Sequence, residues 1–222
     1  METEVFLTLL SGTSGHVPRL CRAGLALLAA VRLGSLALGA RTLWRDEAGD
    51  LRCDTGARGC LLACFDAAFP VSPFNLFLLQ MASLLTHGTA CSCVFCPPSC
   101  QGKSSWRPGP GHGKRWLQQL NWLSLLAKAA LEGIFLVAFH GLYARYPSQL
   151  HCPPSTSCPD GVLCTIQQAN WKDAFNLFVA GASWASVALC LPGLYTAASE
   201  TFHCALGPGK SQLERPLLIP DI

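Results

Sequence analysis

The sequence predicts an all-α membrane protein: a four-helix transmembrane bundle with a short N-terminal helix and two disulfide-linked extracellular loops. Three observations predict it. First, half of the 222 residues are hydrophobic and only 13% are charged, with a mean hydropathy of +0.33. Soluble domains carry about a quarter charged residues. Second, four apolar runs approach the length of roughly 20 residues that a helix needs to cross the bilayer core. Third, two cysteine triplets each lie between two of those runs: Cys53, Cys60 and Cys64 (C-x6-C-x3-C), and Cys152, Cys158 and Cys164 (C-x5-C-x5-C). An odd number of thiols cannot pair off within one loop, whereas three against three can pair across.

The elements follow in order. Residues 1–18 form a cytoplasmic segment, with helix over Glu2 to Leu10 and a break at the Ser-Gly-Thr-Ser-Gly stretch that follows. Residues 1–17 are too polar for a signal-peptide core, so the first span reads as a retained anchor, and Glu2 in place of glycine excludes the myristoylation motif. The spans are residues 19–41 (carrying Arg22 and Arg32), 72–95, 119–143 (carrying Lys128 and Glu132) and 174–198. Only helices can satisfy their backbones in lipid at this length. The outer loops are 42–71 and 144–173, the central loop is 96–118 and the tail is 199–222.

Charge sets the orientation. The central loop contains Lys103, Arg107, Lys114 and Arg115 with no acidic residue, so that side is cytoplasmic. The cysteine triplets then face outward, where disulfides persist. The central loop is rich in Pro, Gly and Ser and reads as a flexible linker. The Pro-containing tail from Ser199 reads as disordered. The net charge of +3 points to no nucleic acid.

The first outer loop, LWRDEAGDLRCDTGARGCLLACFDAAFPVS, carries a family signature: Trp44, Asp46, Glu47, Cys53, Cys60, Cys64, Phe65, Asp66, Phe69, Pro70 and Ser72. In these residues, and over roughly residues 1–200, the chain resembles a divergent connexin, the gap-junction subunit. The second loop departs by one residue from the usual C-x4-C-x5-C. The resemblance implies six subunits around a pore, two such hemichannels docked between cells, passage of ions and small molecules, and a plasma-membrane location. The partners implied are the chain itself as a hexamer, other connexins and membrane lipid.

The resemblance also implies residue roles. Disulfides join Cys53 to Cys164, Cys60 to Cys158 and Cys64 to Cys152. Glu2, Arg41, Asp46 and Asp50 line the pore. Arg32, Gln80, Lys128, Glu132 and Ser183 form polar contacts inside the membrane; a lone charge there costs several kcal/mol and needs a partner. The alternative for Arg32 is snorkelling, or facing pore water. Glu47 matches a calcium position and is the metal candidate that the resemblance implies, while Thr42 and the nearby Arg45 weigh against calcium. No other cofactor is implied.

Departures cluster where docking contacts belong: Gly56, Ala57 and Arg58 in the first loop, Asp160, Gly161 and Leu163 between the last two cysteines, and Thr165 to Lys172 after them. Asn75 stands where relatives place arginine, and His87 and Gly88 occupy the stretch of the family's proline kink. Impaired docking is the expectation. Cys91, Cys93, Cys96 and Cys100 read first as reduced thiols, then as palmitoylation sites, and last as zinc ligands. The histidines are scattered and no enzyme motif is present. Two rival readings are a non-conducting accessory subunit that assembles with other connexins, and a tetraspan adhesion protein with bridges inside each loop.

Overall fold

The computed structural model describes residues 2–15, 17–47, 49–54, 58–95, 112–143, 146–154, 158 and 161–206. In chain order they form α1 (Glu2–Ser11), α2 (Arg19–Thr42), β1 (Leu51–Cys53), α3 (Arg58–Ala68), α4 (Pro73–Phe95), α5 (His112–Leu142), β2 (Gln149–Cys152), β3 (Val162–Ile166) and α6 (Ala169–Leu206). Helices long and apolar enough to cross a membrane span Arg19–Thr42, Pro73–Phe95, Trp116–Leu142 and Ala169–Ser199. Among the described residues the fold is mostly helical and of membrane type, with four such helices. α2 packs against α4 and α6, and α5 against the same two, so the four helices close a ring. Outward faces carry Leu20, Leu27, Leu79, Ile134, Val137 and Leu177, the apolar surface lipid requires.

Helix ends differ from hydropathy for a physical reason. α5 begins at His112, inside the stretch read as a flexible linker, and α6 extends from Ala169 to Leu206, beyond 174–198 and into the stretch read as disordered. Polar residues end an apolar run without ending a helix, because Lys, Arg and Gln are good helix formers. Pro73 opens α4 at the first helical position, where its missing N–H is no loss. α1 stops at Gly12, whose φ of 64° is the left-handed conformation glycine tolerates, and whose N–H donates to Thr8 O at 2.8 Å.

The loops form one outer cap. β1 and β2 both pair antiparallel with β3, in the order β1-β3-β2. Cys53 stands opposite Cys164 in that register. α3 was not anticipated. Its Cys60 and Cys64 are four apart and therefore on one helical face, and both are buried. Bridges join Cys53 to Cys164, Cys60 to Cys158 and Cys64 to Cys152, closing sequence separations of 111, 98 and 88 residues. In the chain-entropy model each loop closure contributes about 4 to 5 kcal/mol, less in practice. The turn into α6 passes through Gln168 at φ 58°, a left-handed position occupied without glycine.

Beneath the cap lies an aromatic core. Trp44 stacks on Phe74 and meets Phe77, Tyr146 and Phe175 edge-on, with centroids 5.9 to 6.3 Å apart. Phe69, Phe135, Phe139 and Tyr143 complete it. Digestion of the non-reduced protein should yield peptides linking residue 60 to 158 and 64 to 152. Mass spectrometry checks this, and peptides bridged within one loop would contradict the cap.

Candidate functional site

Halfway along the bundle, side chains from four helices meet in a buried polar network. Arg32 of α2 donates to both carboxylate oxygens of Glu132 on α5, at 2.8 and 3.1 Å, and to Ser186 Oγ on α6 at 3.3 Å. Gln80 Nε2 on α4 donates to Glu132 at 2.7 Å and to Ser183 Oγ on α6 at 2.9 Å. Arg32 and Glu132 have 2% and 1% of their surface exposed. Arg32 therefore neither snorkels nor faces water within the subunit. A bidentate guanidinium–carboxylate pair is the geometry that best offsets such burial. Ser186 belongs to the network and went unnoticed in the sequence, since serine in an apolar run carries no signal of its partner.

Lys128 does something different from what its spacing to Glu132 suggests. Its Nζ donates to the backbone oxygen of Ser11, at the end of α1. Ser124 Oγ donates to Gly12 O at 2.9 Å, and Ser14 Oγ donates to Asn121 Oδ1. A cation and hydroxyls thus meet the carbonyl end of α1, where the helix dipole is negative. On α2, Arg22 pairs with Glu4 at 3.0 Å and donates to Thr8 Oγ1. Gly88 of α4 lies under α1, so that a Cβ there would collide with the Leu9 carbonyl. In the stretch where the resemblance implies a proline kink, this chain has a glycine that admits the N-terminal helix, with His87 alongside Gly12.

At the outer end, Lys172 in the first turn of α6 is fully buried. Its ammonium lies 2.7 Å from Asp50 Oδ2 and over the rings of Trp44 and Tyr146, 5.3 and 5.7 Å from their centroids. Glu47 accepts from Ser72 Oγ at 2.6 Å, which ties the first loop to the start of α4. Burial raises the Glu47 pKa, partly offset by the Ser72 bond and by Lys172. Stability therefore declines as pH rises through that elevated pKa, because the folded state binds the proton more tightly. Tyr146 is pushed upward too, first by burial and then by the Glu47 charge. The pore candidates Arg41 and Asp46 are exposed, as are Thr42 and Arg45, while Asp50 is half-buried beside Lys172. Glu2 lies in the first turn of α1.

The stretch after the last cysteine is not uniformly a docking surface. Thr165 and Ile166 belong to β3, and Ile166, Ala169 and Lys172 are buried. Gly161, Leu163, Thr165, Gln167, Gln168 and Asn170 are exposed. Gly56, Ala57 and Asp160 lie outside the described residues, as do Cys96, Cys100, Lys103 and Arg107. Cys91 is buried against Ser124 (Sγ to Oγ 3.1 Å) while Cys93 is exposed, so these two point away from each other on α4. His140 is exposed on α5, with its ring edge-on to Phe139.

Glu132→Gln strands a buried guanidinium and should cost about 3 to 5 kcal/mol, whereas the Arg32→Met/Glu132→Met pair should recover most of it. Unfolding in mixed micelles measures both. Gly88→Val should unseat α1, read as faster amide exchange over residues 2–11 with the spans unchanged.

The connexin family model matches residues 2–97. That range contains α1, α2, the first outer loop with Cys53, Cys60 and Cys64, and α4. Connexins are channel proteins rather than enzymes, and they assemble as hexameric hemichannels. The match gives this chain a connexin-type, gap-junction function in general terms. Taken with four membrane-type helices among the described residues and loops bridged by cysteine pairs, the match over residues 2–97 supports placing the chain with the connexins.

Proposed function

We propose that six copies of this chain surround a pore and form a plasma-membrane hemichannel that conducts ions and small molecules, with weak docking between cells. The observation that carries the reading is the family match over the segment that builds α1, α2, the first loop and α4. Two features of the fold support it. α1 folds back onto α2 and α4, where it can narrow a cytoplasmic entrance. The outer end of α2 presents exposed Arg41, Thr42, Arg45 and Asp46. Sixfold symmetry turns each into a ring, and rings of carboxylate favour cations while rings of arginine oppose them.

Weak docking rests on the exposed loop residues. Gly161 and Leu163 stand between Cys158 and Cys164, and neither side chain can offer a hydrogen bond across the gap. Contacts missing from each subunit are missing six times over in a docked ring, and each lost hydrogen bond is worth about 0.5 to 1.5 kcal/mol. The accessory-subunit reading retains one observation: Asn75 is exposed near the outer start of α4, where an arginine would reach a neighbouring subunit. Within-loop bridges, which an adhesion protein would need, are not formed by these six cysteines.

Native mass measurement in detergent should find six copies. Cells expressing this chain alone should take up small dyes from the medium, with transfer between paired cells reduced at least about tenfold against a docking-competent connexin. Monomers without bilayer current would favour the accessory role, and strong cell-to-cell transfer would contradict weak docking.

A further inference from the structure

We propose that Lys172 is a selectivity-determining residue: from behind the outer wall it neutralises Asp50, and so fixes the net charge that the first loop presents to permeating ions. The inference rests on the hexameric-pore reading and names a residue that acts through another.

The geometry is specific. Lys172 has no exposed surface, and its Nζ is 2.7 Å from Asp50 Oδ2. Trp44 and Tyr146 wall the ammonium with their ring faces. Cation–π contact strengthens when the cation is desolvated. The Asp50 backbone is held as well: its N–H donates to Asp46 O at 3.1 Å, and its carbonyl accepts from Gln167 N at 2.9 Å. The charge of Glu47 also faces this ammonium, but its carboxylate is engaged by Ser72.

Of the charged side chains between residues 41 and 50, Asp46 and Glu47 are tied to this pair, and Arg41, Arg45 and Asp46 are exposed while Glu47 is half-buried. Asp50 keeps about a quarter of its side chain exposed, enough for an unpaired carboxylate to be felt in the vestibule. Held against an ammonium at contact distance, it acts as a dipole, whose field falls off faster than that of a charge. A sixfold assembly multiplies that one-charge difference into a ring of six.

Bilayer recording with the full chain tests the idea by reversal potentials in a salt gradient. Lys172→Met should raise the cation-to-anion permeability ratio by about threefold, and Asp50→Asn should lower it by a similar factor. The Asp50→Asn/Lys172→Met double variant removes the whole pair and should fold, since a buried pair exchanged for neutral groups is often tolerated. Its ratio should return close to that of the unaltered chain. A purely structural role predicts loss of open channels with no opposite shifts, and singles that move in one direction, or not at all, overturn the proposal.

A second measurement holds even if the unaltered chain conducts nothing, an outcome that would fail the pore reading itself. In a Thr42→Cys background, cationic and anionic thiosulfonate reagents are applied to the outer face of intact cells. Adding Lys172→Met should speed the cationic reagent relative to the anionic one by about twofold. An unchanged rate ratio refutes the charge-setting role of Lys172.

Discussion

A carboxylate in the middle of the membrane organises this subunit. Buried polar oxygens need donors, and those of Glu132 come from two other helices: the guanidinium of Arg32 on α2 and the amide of Gln80 on α4. Ser186 and Ser183 on α6 then accept from those donors. Apolar packing between helices in lipid is weakly directional, because the tails are as apolar as the side chains. The network supplies direction. It fixes the rotation of all four spans, since turning any one of them would leave a buried polar group without its partner.

What the network does at mid-depth, the aromatic core and the disulfides do at the outer end. Trp44 contacts residues of α4, α6 and the segment before β2, so the first loop is already positioned before any bridge is counted. The bridges then prevent the two loops from separating. Lys172 and Asp50 add an ionic contact from α6 into the first loop. This half of the chain is thus cross-linked by three kinds of interaction: aromatic contact, disulfide and ion pair.

The spans were legible because lipid imposes one simple rule on sequence, a long run of apolar residues. Arg32, Gln80 and Glu132 were legible as odd residues in such runs. Their serine partners were not, because a hydroxyl in an apolar helix is inexpensive and common. That α5 takes in His112 and α6 takes in Leu206, beyond the apolar spans, has a related reason: hydropathy reports where lipid stops, and a helical backbone does not depend on it. The helix in the first loop could have been found from C-x3-C, a spacing that places both sulfurs on one helical face. Lys172 was the hardest to read. Its cage brings together Trp44, Asp50 and Tyr146, residues separated by up to 128 positions from the lysine, and no local pattern encodes that meeting.

α5 is one unbroken helix from His112 to Leu142. The side chains that grip the end of α1 and the segment after it, Asn121, Ser124 and Lys128, project from the first two thirds of α5, while Glu132 sits one turn further along the same rod. There is no hinge between them to absorb a twist. Torque delivered to the His112 end of this rod is therefore transmitted to the amino-terminal segment and to the buried carboxylate together, making the helix a crankshaft that couples one end of the bundle to its centre.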